Sequence, residues 1–185
     1  MKVKGSIAAS LQKFVKTRYS GEYERWVGRL SREAREIYSR PILATEWYPL
    51  KSGIIEPTAA VGDIFYQGDR RSAAWETGRF SAQEGLGGIY RVFVLVATPQ
   101  YMMKRSGKIL ASFYEPSALS VAAERPKGVD IHITSFPESN EIAENRIGGW
   151  MERALEICGC RNVRFEFPES LARGDSRTVY GINWD

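Results

Sequence analysis

At 185 residues the chain has the length of one domain with a substantial core. Hydrophobic content of 43% with 26% charged residues excludes bulk disorder, and two cysteines one residue apart, Cys158 and Cys160, exclude a disulfide framework. The formal net charge of +4 invites a nucleic-acid partner, but the basic residues are interleaved with acidic ones and form no long stripe, so none is expected.

Ile7, Leu11, Phe14 and Val15 recur at helical spacing directly after Met1-Lys2-Val3-Lys4, with Ser6 as a capping candidate. Tyr23, Trp26, Val27, Leu30, Ala34 and Ile37 continue the period in a second helix ending before Pro41. On that helix Arg29 faces Glu33 and Arg32 faces Glu36 at the spacing of a solvated, paired surface. Trp47 to Pro57 reads as irregular or as one short helix. Pro57 then opens a helix with Val61, Ile64 and Phe65 inward, a bend follows near Gly68, and Ala73 to Ala82 is helical again. Gly85-Leu86-Gly87-Gly88 punctuates the chain before an apolar helix carrying Tyr90, Phe93, Val94 and Ala97. Pro99 starts the next, with Met102, Met103, Ile109, Leu110 and Phe113, ended by Pro116. The period then changes to two. Leu119, Val121 and Ala123, and then Val129, Ile131 and Ile133, predict strands joined by an Arg125-Pro126-Lys127-Gly128 hairpin. A helix from Ile142 to Cys158, stopped by Gly159, precedes strands over Val163 to Phe167 and Thr178 to Trp184.

The pattern predicts a single α+β domain over 1–185, with a helical half (1–116) and a sheet half (117–185). Five or six helices form an N-terminal layer packed on a four-stranded antiparallel sheet, with one helix inserted among the strands. No apolar run is long enough to span a bilayer, and no signal-peptide pattern is present, so the expected compartment is the cytoplasm.

No pattern of residues spells out an enzyme. His132 is the sole histidine and alternates with Val129, Ile131 and Ile133, which points it to the outer face of its strand. No Gly-x-Ser-x-Gly elbow is present, and Gly85 to Gly88 lack the Lys-Ser/Thr of a phosphate loop. Cys158-Gly159-Cys160 supplies only part of a tetrahedral metal site. No catalytic residue, metal or cofactor is therefore assigned. Met102 and Met103, with Tyr90, Phe93, Val94, Phe113 and Trp150, suit an adaptable apolar pocket; the same residues serve equally well as plain core.

The C-terminal layout is an amphipathic helix from Gly149-Trp150, a strand, the turn Arg173-Gly174-Asp175 and a final strand closing on Trp184. Together with Gly78-Arg79-Phe80, Gly85-Leu86, Ile89-Tyr90, Pro99 and Phe113-Tyr114, it resembles an uncharacterised, often deltaproteobacterial, branch of the haem nitric-oxide-binding-like and 4-vinyl-reductase superfamily. That superfamily also includes Golgi transport subunits with an acyl-binding channel. The resemblance implies helices over a four-stranded sheet with a ligand pocket between them. Its haem branch uses a proximal histidine and a downstream Tyr-x-Ser-x-Arg triplet, which this chain lacks. Its zinc-binding branch places a cysteine after the Gly-Asp turn, where Thr178 stands here. The resulting expectation is a noncatalytic, haem-independent sensing domain binding an apolar or aromatic small molecule or a fatty acyl chain. The alternative is an adaptor, such as a homodimer, without bound ligand.

Overall fold

A computed structural model describes residues 1–86 and 98–185. The expected helix carrying Tyr90, Phe93, Val94 and Ala97 lies outside them. The first element is a strand, β1 (Lys2–Lys4), which pairs antiparallel with β2 (Trp47–Pro49) and β3 (Tyr114–Glu115) in a sheet of order β2-β1-β3. Sequence periodicity does not show this sheet. Its strands are two or three residues long, and only Val3 in β1 and Tyr114 in β3 are buried, so no alternation has room to develop.

Helix α1 (Gly5–Arg18) buries Ile7, Leu11, Phe14 and Val15, but its cap position is Lys4 rather than Ser6. The single helix expected over residues 23–37 is instead two, α2 (Tyr23–Gly28) and α3 (Arg32–Tyr38). Ser31 sits at the break, and its hydroxyl accepts the Ala34 amide, which starts the new helix. Arg29 consequently falls in the connection. Of the two expected pairs Arg32–Glu36 forms, at 3.2 Å. A π-helical turn (Lys51–Ile55) leads into α4 (Glu56–Phe65), which carries Pro57 in its first turn. Gln67 and Gly68 then bend the chain into α5 (Arg70–Gly85), capped by Asp69.

Thr98 caps α6 (Pro99–Lys104), and α7 (Ser106–Phe113) follows after Arg105. These two replace the one helix expected after Pro99. The Ser106 hydroxyl donates to the Met103 carbonyl at 2.6 Å, a local bond that competes with helix continuation. With these two splits the described residues of the first half carry seven α-helices.

The second half follows the sequence pattern closely. Strands β4 (Ala118–Arg125), β5 (Gly128–Ser135), β6 (Arg164–Glu166) and β7 (Thr178–Asn183) form an antiparallel sheet of order β4-β5-β7-β6, with α8 (Glu141–Ile157) inserted after β5. Val129, Ile131 and Ile133 are buried on one face of β5, with Asp130 and His132 on the other. Helix α8 lies against the inner face, where the Tyr180 hydroxyl donates to the Glu144 carbonyl at 3.0 Å. Among the described residues, no helix is long and apolar enough to cross a membrane.

The two longest helices, α5 and α8, cross at backbone contact. A Cβ on Gly78 would stand 2.0 Å from the Arg146 carbonyl oxygen, and one on Gly149 would stand 2.1 Å from that of Trp75. Each helix thus needs a bare α-carbon opposite the other's carbonyl. Polar ties brace the crossing: Arg71 pairs with Glu141, Trp75 Nε1 donates to Glu152 at 2.7 Å, Arg79 bridges Glu152 and Glu156, and Arg153 donates to Gln83. Gly78→Ala is expected to destabilise the protein by roughly 1–3 kcal/mol or more through this overlap. Gly28→Ala, with no atom within 4 Å of its new methyl, should leave the thermal midpoint unchanged or raised. Thermal denaturation followed by circular dichroism checks both.

Candidate functional site

Beside the crossing, α6, α7 and α8 leave a small hollow of about 40 Å³. Helix α6 contributes Met102 and Met103, and α7 contributes Ser106, Ile109, Leu110 and Phe113. Ile147, Trp150 and Met151 come from α8, Ile7 from α1, Gly78 and Ser81 from α5, Tyr114 from β3 and Leu119 from β4. The fold therefore brings Met102, Met103, Phe113 and Trp150 of the expected pocket to one place. Phe113 and Trp150 are ring neighbours, with centroids 6.3 Å apart. The other three expected residues, Tyr90, Phe93 and Val94, lie outside the described residues.

One lining residue was not anticipated from the sequence. Arg146, on α8, retains 2% of its exposure and is one of the residues lining the hollow. Its Nη2 stands 3.4 Å from both the Ile7 carbonyl and Ser10 Oγ, at the long end of hydrogen bonding, and its Nη1 has no partner. Burial lowers its pKa, with the phenols of Tyr114 and Tyr38 acting in the opposite direction. Burial likewise raises the pKa of Tyr114 and of Tyr38, so both phenols stay neutral. The sequence signal for Arg146 was faint: it stands one position before Ile147 on a helix rich in charged residues, where a solvated arginine is the usual outcome.

Glu144, two residues earlier, is also buried, but it is well provided for. It accepts from Ser170 Oγ at 2.6 Å, from the Thr178 hydroxyl and from the Ala172 amide at 3.2 Å. These bonds pin the Gly174 turn and the start of β7 onto α8. They also give Thr178 a structural partner.

The remaining candidates stand away from the hollow. His132 is half-buried on the outer face of β5, between Ser120 and Val179 of the flanking strands. Cys158 and Cys160 follow the end of α8 as free thiols, and burial raises both, Cys160 to about 11, which makes them poor nucleophiles at neutral pH. Among the described residues no three His, Cys, Asp or Glu side chains converge as a metal site. The short basic groups are largely neutralised: Arg70 pairs with Asp63, Arg71 with Glu141, and Lys104 with Glu124.

No protein-family model matches the chain, and no curated protein matches it. Solved structures do. An H-NOX protein from S. oneidensis in its Fe(II)NO state superposes with a TM-score of 0.75 at 12% identity, covering 98% of this chain and 99% of that one. The Fe(II) unliganded H-NOX protein from K. algicida gives 0.70 at 11% identity, over 98% and 96% of the two chains. A variant of the T. tengcongensis H-NOX protein gives 0.68 at 12%, over 98% and 97%. At these identities the likeness is one of fold.

The Arg79 bridge across the α5–α8 crossing carries a pH signature. Burial raises the pKa of Glu156, but hydrogen bonds from Arg79 and Arg153 outweigh it and the net shift is downward from 4.5. A lowered folded-state pKa contributes stability above the unfolded value, lost as pH falls through the folded one. Arg79→Met should therefore be less stable than wild type in urea at pH 7, and the gap should narrow as pH falls below about 4.5.

Proposed function

We propose that the chain is a noncatalytic sensing domain that admits a small, largely apolar guest to the hollow between α6, α7 and α8, without haem. The observation that carries this reading is the lining itself. Met102, Met103, Leu110, Phe113, Trp150 and Met151 surround the space, and they come from helices on both sides of the junction between the two halves of the chain. A guest there touches elements from both halves, so it can favour one arrangement of them over another. Methionines adapt their shape to a guest at low cost.

The H-NOX structures of the same fold hold Fe(II), but haem is a poor match for the described residues. Haem iron is held by histidine, cysteine thiolate, tyrosine, or methionine together with histidine. The one histidine is on the outer face of the sheet, and the cysteines lie beyond the end of α8. A volume of about 40 Å³ is an order of magnitude below the roughly 300–1,000 Å³ of a pocket for a drug-sized ligand. The noncatalytic reading has similar support: among the described residues the hollow has no imidazole or carboxylate to serve as general base. An adaptor surface finds less support, because the large exposed apolar side chains among the described residues are Leu43 and Tyr101, not a continuous patch.

Xenon-129 NMR of the purified protein should show saturable binding. Leu110→Phe, which fills the hollow at a stability cost of about 1–3 kcal/mol, should abolish that binding while the circular dichroism spectrum is retained. Titration with haemin should give no stoichiometric Soret band. A sharp one-equivalent band would overturn haem independence, and xenon binding unaffected by Leu110→Phe would remove the hollow as its site.

A further inference from the structure

Arg146 is a buried cation without an anion. Among the described residues no carboxylate lies within 4 Å of it, and residues 87–97 contain neither Asp nor Glu. Glu144, the buried acid nearest in sequence, is already engaged by Ser170, Thr178 and Ala172. The phenols of Tyr38 and Tyr114 offer no charge, and the Tyr38 hydroxyl donates instead to the Gly53 carbonyl at 2.7 Å. A guanidinium stays protonated at neutral pH and strongly disfavours burial without a charged partner. Nη1 is buried and free of hydrogen bonds, and Arg146 is one of the residues that line the hollow. Its planar fork matches a carboxylate in two-point contact.

We infer that the guest of the hollow is an apolar monocarboxylic acid, its carboxylate taken by Arg146 and its tail turned toward Met102 and Met103. The inference rests on the sensing reading above and names its ligand class. The acid supplies the missing counter-charge, and the methionines yield to the tail. It also assigns a cost to the unliganded state, which keeps an unpaired charge in its core.

Isothermal titration of the purified protein with butyrate, 1-butanol and formate tests this. Butyrate should bind at least about tenfold more tightly than 1-butanol, as expected when a charge-assisted pair is added, and more tightly than formate, which lacks a tail. Arg146→Met should weaken butyrate binding by about tenfold or more and raise the thermal midpoint of the unliganded protein, because an unpaired buried charge is replaced by an apolar chain of similar length. Arg146→Lys should retain part of the preference for butyrate over the alcohol. Equal binding of butyrate and 1-butanol overturns the inference, as does a lowered midpoint in Arg146→Met with butyrate binding unchanged. Formate binding as tightly as butyrate also overturns it, since the site would then take a bare anion. If xenon enters the hollow while butyrate does not bind, the inference alone falls. If neither binds, the sensing reading falls with it.

Discussion

The architecture turns on the contact between α5 and α8, where Gly78 and Gly149 let each helix press against the other's carbonyl. Side chains normally hold helix axes about 8–10 Å apart, and bare α-carbons on both partners remove that spacer. The close approach fixes how α8 is turned about its own axis. Trp150, Ile147 and Met151 then face α6 and α7, while Glu144 faces the turn before β7. The polar ties from Arg71, Trp75 and Arg79 to α8 hold the crossing laterally, and Gly78 is itself part of the hollow's wall. Packing and hollow are therefore one construction.

Helix α8 carries two buried charges, and their different treatment explains much of the site. Glu144 receives three hydroxyls and a backbone amide, so its charge is spread over fixed donors and it serves as a clasp for the C-terminal strand. Arg146 receives two long contacts on one nitrogen and none on the other. A fold that spends several donors on one buried charge and leaves the second open treats the two differently. Structural ties close their hydrogen bonds internally, and open ones are where a ligand has something to gain.

The likeness to H-NOX structures extends over nearly the whole chain and is one of backbone fold. A shared backbone path constrains where a guest can sit but leaves the chemistry to the side chains. Here, among the described residues, methionines, aromatic rings and Arg146 line the space, and the chain's histidine is on the outer face of β5. The surface is correspondingly quiet, with Arg70, Arg71, Arg125 and Arg177 each paired to a neighbouring carboxylate.

Much of this was legible along the chain. Eight-residue strands with apolar residues at every second position declared β4 and β5, a helix with a clear apolar stripe declared α8, and the outward direction of His132 followed from alternation. Met102, Met103, Phe113 and Trp150 were recognisable as residues suited to an adaptable interior. The breaks at Ser31 and Arg105, and the sheet built from β1, β2 and β3, were not legible. A capping hydroxyl looks like any serine in a helical run, and strands of two or three residues join segments far apart in sequence. Arg146 was hidden for the same reason. Local pattern determines which elements form and which side is apolar, because it depends on periodicity within a few turns. Whether a charge ends up beside water, beside a partner or beside an empty space depends on what the rest of the chain brings to it, and the crossing of α5 over α8 decided that for Arg146.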